Sequence, residues 1–254
     1  MSMLKAEGIV KDFGGLRAVD DCSIEVEKGS IVGIIGPNGA GKTTLFNVIT
    51  GMYKPDAGKI FFRGEDISGL RPDQICQKGI TRTFQISREL KIMTLLENML
   101  LAFKDQAGEN IFRGVLNPVR VKEQERENLK KSSAILKAMN LYELGNEPVA
   151  ILSGGQRKML EVGQALATGP EMLLLDEPTA GATVAETAMV VSFIRRMREE
   201  QGLTFLIVEH KMEVIMGICD KIIVINYGKK LMEGTADEVR QNEEVREAYL
   251  GRED

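Results

Sequence analysis

The sequence is poor in cysteine: Cys22, Cys76 and Cys219 are the only three among 254 residues. An odd number spread so far apart does not suggest a disulfide framework. Histidine occurs once, as His210. One imidazole cannot build a histidine-rich metal site, which argues against zinc, and any chemistry that needs histidine must use this residue. No apolar run approaches the roughly 18–20 residues of a membrane span. The stretch MSMLKAEGIVKDF lacks the apolar core of a signal peptide. Basic runs are absent, and 33 Lys and Arg against 37 Asp and Glu leave a formal charge of −4, so no nucleic-acid partner is expected. Internal repeats and low-complexity linkers are also missing. These absences point to a soluble, cytoplasm-type protein.

What is present is ordinary for a globular chain, with 43% apolar and 28% charged residues. That composition excludes disorder, collagen-like repeats and a pure coiled coil. The pattern predicts half-buried strands over 3–10 and 22–27, then IVGIIG (31–36), an apolar run of the buried parallel-strand kind. A helix is expected from about Thr43 to Ile49, and strands at KIFFRG (59–64) and GITRTFQ (79–85). From about Leu90 to Leu144 the spacing is helical, with Leu129, Ile135, Leu136 and Met139 on the apolar side of a charged stretch. Strand–helix alternation then returns at MLLLD (172–176), TFLIVEH (204–210) and KIIVIN (221–226). This alternation implies an α/β fold with a parallel sheet covered on both faces and a helical insertion.

Residues 36–43 read GPNGAGKT, a phosphate loop between an apolar strand and a helix. Gly36, Gly39 and Gly41 free the backbone to point N–H groups at an anion. The helix N-terminus adds its positive end. Lys42 supplies a cation for the β- and γ-phosphates, and the Thr43 hydroxyl is a hard oxygen suited to Mg²⁺. This motif indicates a nucleoside triphosphate without saying which task it drives.

In open α/β sheets, ligands bind outside the carboxyl ends of the strands. Four strands here end in a polar group: the phosphate loop, Gln85, Asp176 with Glu177, and Glu209 with His210. If the strands are parallel, these groups share one edge. Asp176 then suits Mg²⁺, usually through water. Glu177 suits a general base, and His210 can contact the γ-phosphate or position the attacking water. An acidic pair after a strand can also be a helix cap, and a lone histidine can be structural.

LSGGQ occupies 152–156. Ser153 and Gln156 have capping-box spacing for a helix to about Ala167. Two glycines between them are costly in a first turn, and they make sense if an anion approaches the backbone there. A second phosphate half-site, apparently distant from the first, suggests that two chains meet across one nucleotide.

GPNGAGKT, Gln85, LSGGQ, LLLD followed by Glu177, and His210, in this order, resemble the ATP-binding subunits of ABC transporters over nearly the whole chain. FGGLRAV (13–19), RTFQ (82–85), the long stretch 104–125 and VREAYLG (245–251) resemble the branched-chain amino-acid importer ATPases. The resemblance implies a single P-loop NTPase domain over 1–254. Its ATP-binding core, with an N-terminal antiparallel β subdomain, would span about 1–87 and 157–254, and a helical subdomain about 88–156. It implies that Gly36, Pro37, Asn38, Gly39, Ala40, Gly41, Lys42, Thr43 and Thr44 hold the phosphates and Mg²⁺ of ATP, and that Phe13 stacks on adenine. Gln85 would sense the γ-phosphate and the membrane partner, and would join Thr43 and Asp176 around the metal. Ser153, Gly154, Gly155 and Gln156 would face the nucleotide of the opposite subunit. Glu177 would be the catalytic base and His210 the switch histidine.

The implied partners are permease transmembrane subunits, a second ATPase subunit (itself or a similar paralogue) and, indirectly, a solute-binding protein. The implied place is the cytoplasmic face of the inner membrane, where a groove near Leu90, Met93 and Leu96 would receive the permease. One departure stands out. After EPTAG, where the family has an apolar residue, Asp or Asn, and Pro, this chain has Ala182, Thr183 and Val184. Thr183 and Glu186 restore capping-box spacing. The rival readings are a lipopolysaccharide-export ATPase, a soluble P-loop kinase or GTPase, and an ABC-type ATPase acting on DNA or ribosomes. LSGGQ argues against the kinase or GTPase. A single domain of net negative charge argues against the last.

Overall fold

A computed structural model describes residues 1–83, 90–106 and 118–250. The chain divides into two compact units, one of Met1–Arg82, Glu171–Pro178 and Ile194–Asp254, the other of Thr83–Pro170 and Thr179–Phe193. The helical unit therefore runs past residue 156, where pattern alone ended it.

The first unit opens with a hairpin, β1 (Ser2–Phe13) and β2 (Leu16–Glu27), longer than the expected 3–10 and 22–27. Its distal half carries Arg17, which pairs with Asp12 at 3.0 Å and Asp20 at 3.1 Å. That exposed charge hides the alternation on which a strand reading relies. β4 (Ala57–Phe62) and β5 (Glu65–Asp66) complete an antiparallel sheet in the order β2-β1-β4-β5. The expected strand 59–64 stops at Phe62 because Arg63 (φ 52°) and Gly64 (φ 81°) form the two-residue turn of a hairpin.

The second sheet contains β3 (Ile31–Ile35), β6 (Ile80–Arg82), β7 (Met172–Asp176), β8 (Thr204–Val208), β9 (Lys221–Asn226) and β10 (Lys229–Gly234), in the order β10-β9-β3-β8-β7-β6. All neighbours are parallel except the β9–β10 hairpin, which pattern reading missed. Every residue of β3, β7 and β8 is buried, which is why these strands read as unbroken apolar runs.

α1 (Lys42–Ile49) buries Leu45, Phe46, Val48 and Ile49 in a core shared with both sheets. The unit also holds α2 (Pro72–Gln77). α7 (Met212–Ile218), α8 (Ala236–Gln241) and α9 (Glu243–Leu250) lie late in the chain.

The second unit contains α3 (Leu95–Leu100), α4 (Pro118–Ala138) and α5 (Gly154–Ala167). α6 (Val184–Gln201) begins within it. Its core holds Leu95, Met99, Leu136, Met139 and Leu160, all nearly inaccessible. α4 and α5 approach closely at Gly163, where an added Cβ would lie 2.6 Å from the Met139 methyl. Leu129 does not join the apolar side of α4 as expected and is exposed. At about 100° per residue it sits at the rim of the stripe centred on Asn128, Ser132 and Met139, which are buried.

Candidate functional site

The loop between β3 and α1 needs its glycines. A Cβ on Gly36 would lie 2.0 Å from the Ile225 carbonyl oxygen. Gly41, the N-cap of α1, has φ 100°, and its Cβ would lie 2.3 Å from the Ala18 carbonyl. The loop therefore folds against β2 and β9 as bare backbone. Lys42 is buried inside it and donates to the carbonyls of Gly36 at 2.7 Å and Pro37 at 2.9 Å. Burial lowers its ammonium from the ordinary lysine range, and the carboxylates of Glu177 and Asp176 pull it back up. One cation and two carboxylates thus share an electrostatic neighbourhood at the sheet edge. Thr43 is exposed beside them.

Parallel pairing sets Asp176 opposite Val208. The residues just beyond the two strands then emerge together. The Glu177 N–H donates to the Val208 carbonyl at 2.8 Å, and Glu177 turns with φ 50°. His210 Nε2 lies 3.1 Å from Glu177 Oε1. Glu209, almost fully buried, accepts from the backbone N–H groups of His210 at 2.8 Å and Lys211 at 3.2 Å, which holds the turn that presents the imidazole. Asp176, 1% exposed, accepts at Oδ2 from Arg82 at 2.6 Å. Gln85 lies outside the described residues.

The chemistry of the donors fits Mg²⁺. A threonine hydroxyl and one carboxylate, completed by phosphate oxygens and waters, is the hard-oxygen set this ion takes. Among the described residues, no group of three or more His, Cys, Asp or Glu could hold an ion by itself.

Phe13 ends β1 partly exposed, so it is not a core aromatic. Its ring meets Tyr53 edge-on, 5.1 Å between centroids, and the Lys11 ammonium lies 5.5 Å from its centre. A cavity of about 720 Å³ adjoins Pro37–Ala40 and is walled by Tyr227 of the β9–β10 turn and by Glu244 and Glu247 of α9. On the same helix, burial pushes the Tyr249 hydroxyl up to about 12.

In the second unit the expected cap exists. Gln156 N–H donates to Ser153 Oγ at 3.1 Å, and the Ser153 N–H donates to Gln156 Oε1 at 2.9 Å. A carboxylate of the chain itself lies against this cap. Ser153 Oγ donates to Glu186 Oε1 at 2.5 Å, and a Cβ on Gly155 would fall 2.4 Å from the Glu186 carboxyl carbon. Gly154 is less confined, with its nearest neighbour at 3.6 Å. The Thr183 N–H also donates to Glu186, at 2.8 Å, so the departure at Ala182, Thr183 and Val184 still caps α6.

Sequence reasoning missed Arg82, Asn47, Tyr53 and the contact of Glu186 with Ser153. A charged residue inside the apolar run ITRTF was the one available signal for Arg82.

The family described as ABC transporter matches residues 19–180, and one described as branched-chain amino acid ATP-binding cassette transporter matches 229–254. The chain is 41% identical over 249 residues, 98% of each chain, to the high-affinity branched-chain amino acid transport ATP-binding protein BraF of Pseudomonas aeruginosa. It also resembles the solved structure of a nucleotide-free ATP-binding cassette from an ABC transporter. TM-score is 0.87 and identity 37%, with 99% of this chain and 100% of the other covered. A dimeric ATP-binding cassette in a post-hydrolysis state, bound to ADP and phosphate, matches with TM-score 0.75 and 25% identity over 92% of this chain and 99% of the other.

Proposed function

The chain belongs to the ABC transporter family of ATP-hydrolysing subunits, and from that premise we propose that it powers the import of branched-chain amino acids. The observation that carries the catalytic reading is the cluster of Lys42, Asp176, Glu177 and His210 beside one glycine-lined loop.

ATP enters with its phosphates along Gly36–Thr44 and its adenine over Phe13. Lys42 exchanges its two loop carbonyls for the β- and γ-phosphates. Thr43 and Asp176, with Gln85, would hold Mg²⁺, which would supply positive charge against that of the phosphates. Glu177 takes a proton from the attacking water. His210, seated on Glu177, orients that carboxylate and reaches toward the γ-phosphate. Ser153, Gly155 and Gln156 take up the γ-phosphate bound to a second copy or a similar paralogue, and the solved dimeric cassette supports this arrangement. In that step phosphate replaces the Glu186 carboxylate on Ser153.

The membrane-spanning work belongs to permease subunits. Among the described residues, no helix is long and apolar enough to cross a membrane. We place the chain at the cytoplasmic face, with permease contact at the exposed side chains of Leu90 and Ile92. Buried Asn98 braces that loop by donating to the carbonyls of Leu90 and Thr94, each at 3.0 Å. A solute-binding protein delivers the amino acid from the other side.

The test uses Glu177→Gln with ATP in light scattering after gel filtration. The variant should be monomeric alone and dimeric with ATP, and Ser153→Arg should abolish the dimer. A dimer indifferent to Ser153 would overturn the two-chain site. Leucine uptake by vesicles holding the whole transporter tests the solute, and lipopolysaccharide extraction in its place would move the chain to the export reading.

A further inference from the structure

Arg82 is the last residue of β6, and its side chain is only 6% exposed. Its guanidinium donates from one terminal nitrogen to Asp176 Oδ2 at 2.6 Å and from the other to Asn47 Oδ1 at 2.5 Å. Its central carbon lies 5.5 Å from the centre of the Phe46 ring. Phe46 and Asn47 are consecutive residues of α1, the helix that leaves the phosphate loop. A single planar group therefore ties that helix to the end of β7.

This geometry constrains the carboxylate more than charge balance requires. A lysine in the same place could neutralise Asp176 but would hold it as a point charge. The guanidinium fork serves two acceptors at a fixed angle. With one arm on Asn47 and its face near Phe46, the other arm fixes where Oδ2 can sit. The orientation of the Asp176 carboxyl plane is then referred directly to α1, whose first turn carries Lys42 and Thr43.

We propose that Arg82 is a positioning residue for ATP hydrolysis, holding Asp176 in the orientation that receives the Mg²⁺ bound with ATP. The inference rests on the reading that Asp176 serves the metal. Groups that orient a metal-serving side chain through hydrogen bonds change metal affinity by about 10–100-fold when removed. Arg82 also begins the RTFQ stretch, so the residue that orients Asp176 lies three positions before Gln85.

The experiment is a Mg²⁺ titration of binding of a fluorescent ATP analogue to the full chain, with thermal unfolding of the same samples. Arg82→Gln should raise the half-saturating Mg²⁺ concentration about 10–100-fold. Arg82→Lys should raise it less, and affinity in the presence of a chelator should stay at the wild-type level. Asn47→Ala, which loosens the guanidinium without touching Asp176, should shift the Mg²⁺ midpoint in the same direction. An unfolding midpoint that falls in the Arg82 variants while the Mg²⁺ midpoint stays put would make the residue purely structural and overturn the proposal. If both Arg82 variants fail to fold, an unchanged Mg²⁺ midpoint in Asn47→Ala has the same meaning. Asp176→Asn separates the two levels. If it shifts the Mg²⁺ midpoint and the other variants do not, only the positioning role fails. If it does not, the metal reading of Asp176 fails first.

Discussion

His210 and Glu177 are 33 positions apart in the chain, yet Nε2 of one lies 3.1 Å from Oε1 of the other. The contact exists because β7 and β8 run parallel side by side, so the residues after each strand emerge at the same edge. With its proton on Nε2, the imidazole donates to the carboxylate and fixes its direction.

Glu177→Gln keeps volume and most hydrogen bonding but removes the proton acceptor. ATP turnover should fall about 10²–10⁴-fold, the usual contribution of a positioned general base. Nucleotide affinity should be retained, because Lys42 and the loop amides are untouched. Steady-state hydrolysis beside equilibrium nucleotide binding checks both halves. Wild-type turnover would remove Glu177 from the mechanism.

His210→Ala should also slow hydrolysis, through Glu177. The two residues then act as a unit, and effects within a unit are strongly non-additive. The double variant should lose little more than Glu177→Gln loses alone. Single-turnover hydrolysis of the four proteins completes the cycle, and multiplicative losses would mean that the pair acts independently.

Lys42→Ala removes the ammonium that bonds the carbonyls of Gly36 and Pro37. A hydrogen bond to a charged group contributes about 1.5–3 kcal/mol, so ATP should bind about ten- to a hundredfold more weakly. Isothermal titration in Mg²⁺ measures this directly. Affinity equal to wild type would show that the ammonium stays on the loop and never reaches phosphate.

Glu186 carries a pH prediction. Hydrogen bonds, first from Ser153 and then from the Thr183 backbone and side chain, bring its carboxyl down from an ordinary 4.5 to about 2. A folded-state value below the unfolded one stabilises the fold in full above the unfolded value, and the effect is lost as pH falls through the folded one. The difference in unfolding midpoint between wild type and Glu186→Gln should therefore be flat above about pH 5 and shrink on acidification. Carboxyl NMR of the side chain gives the direct value, and titration near 4.5 would mean that the contact with Ser153 does not hold in solution.

Much of this was legible in the chain, for reasons of locality. Buried parallel strands must be continuously apolar, so MLLLD and TFLIV are evident in one dimension. The phosphate loop and the Ser153–Gln156 and Thr183–Glu186 boxes span a few residues each, within reach of spacing rules. The polar half of the first hairpin was not legible, because Arg17, Asp12 and Asp20 stabilise it by exposed ion pairs rather than by burial. β10 escaped because its burial is only partial.

The sequence by itself determined the family, the order of the elements and the chemistry available at the end of each strand. Only the tertiary structure decided which of those groups meet. Strand order places β8 between β3 and β7, which sets His210 against Glu177, and a parallel pairing of β6 with β7 brings Arg82 to Asp176 and α1. It also decided that Glu186, which serves its own helix cap in sequence terms, lends its carboxylate to Ser153. Spacing rules follow from the geometry of one helix or strand. Contacts across elements depend on how the whole core closes around apolar surface, and no local pattern encodes that closure.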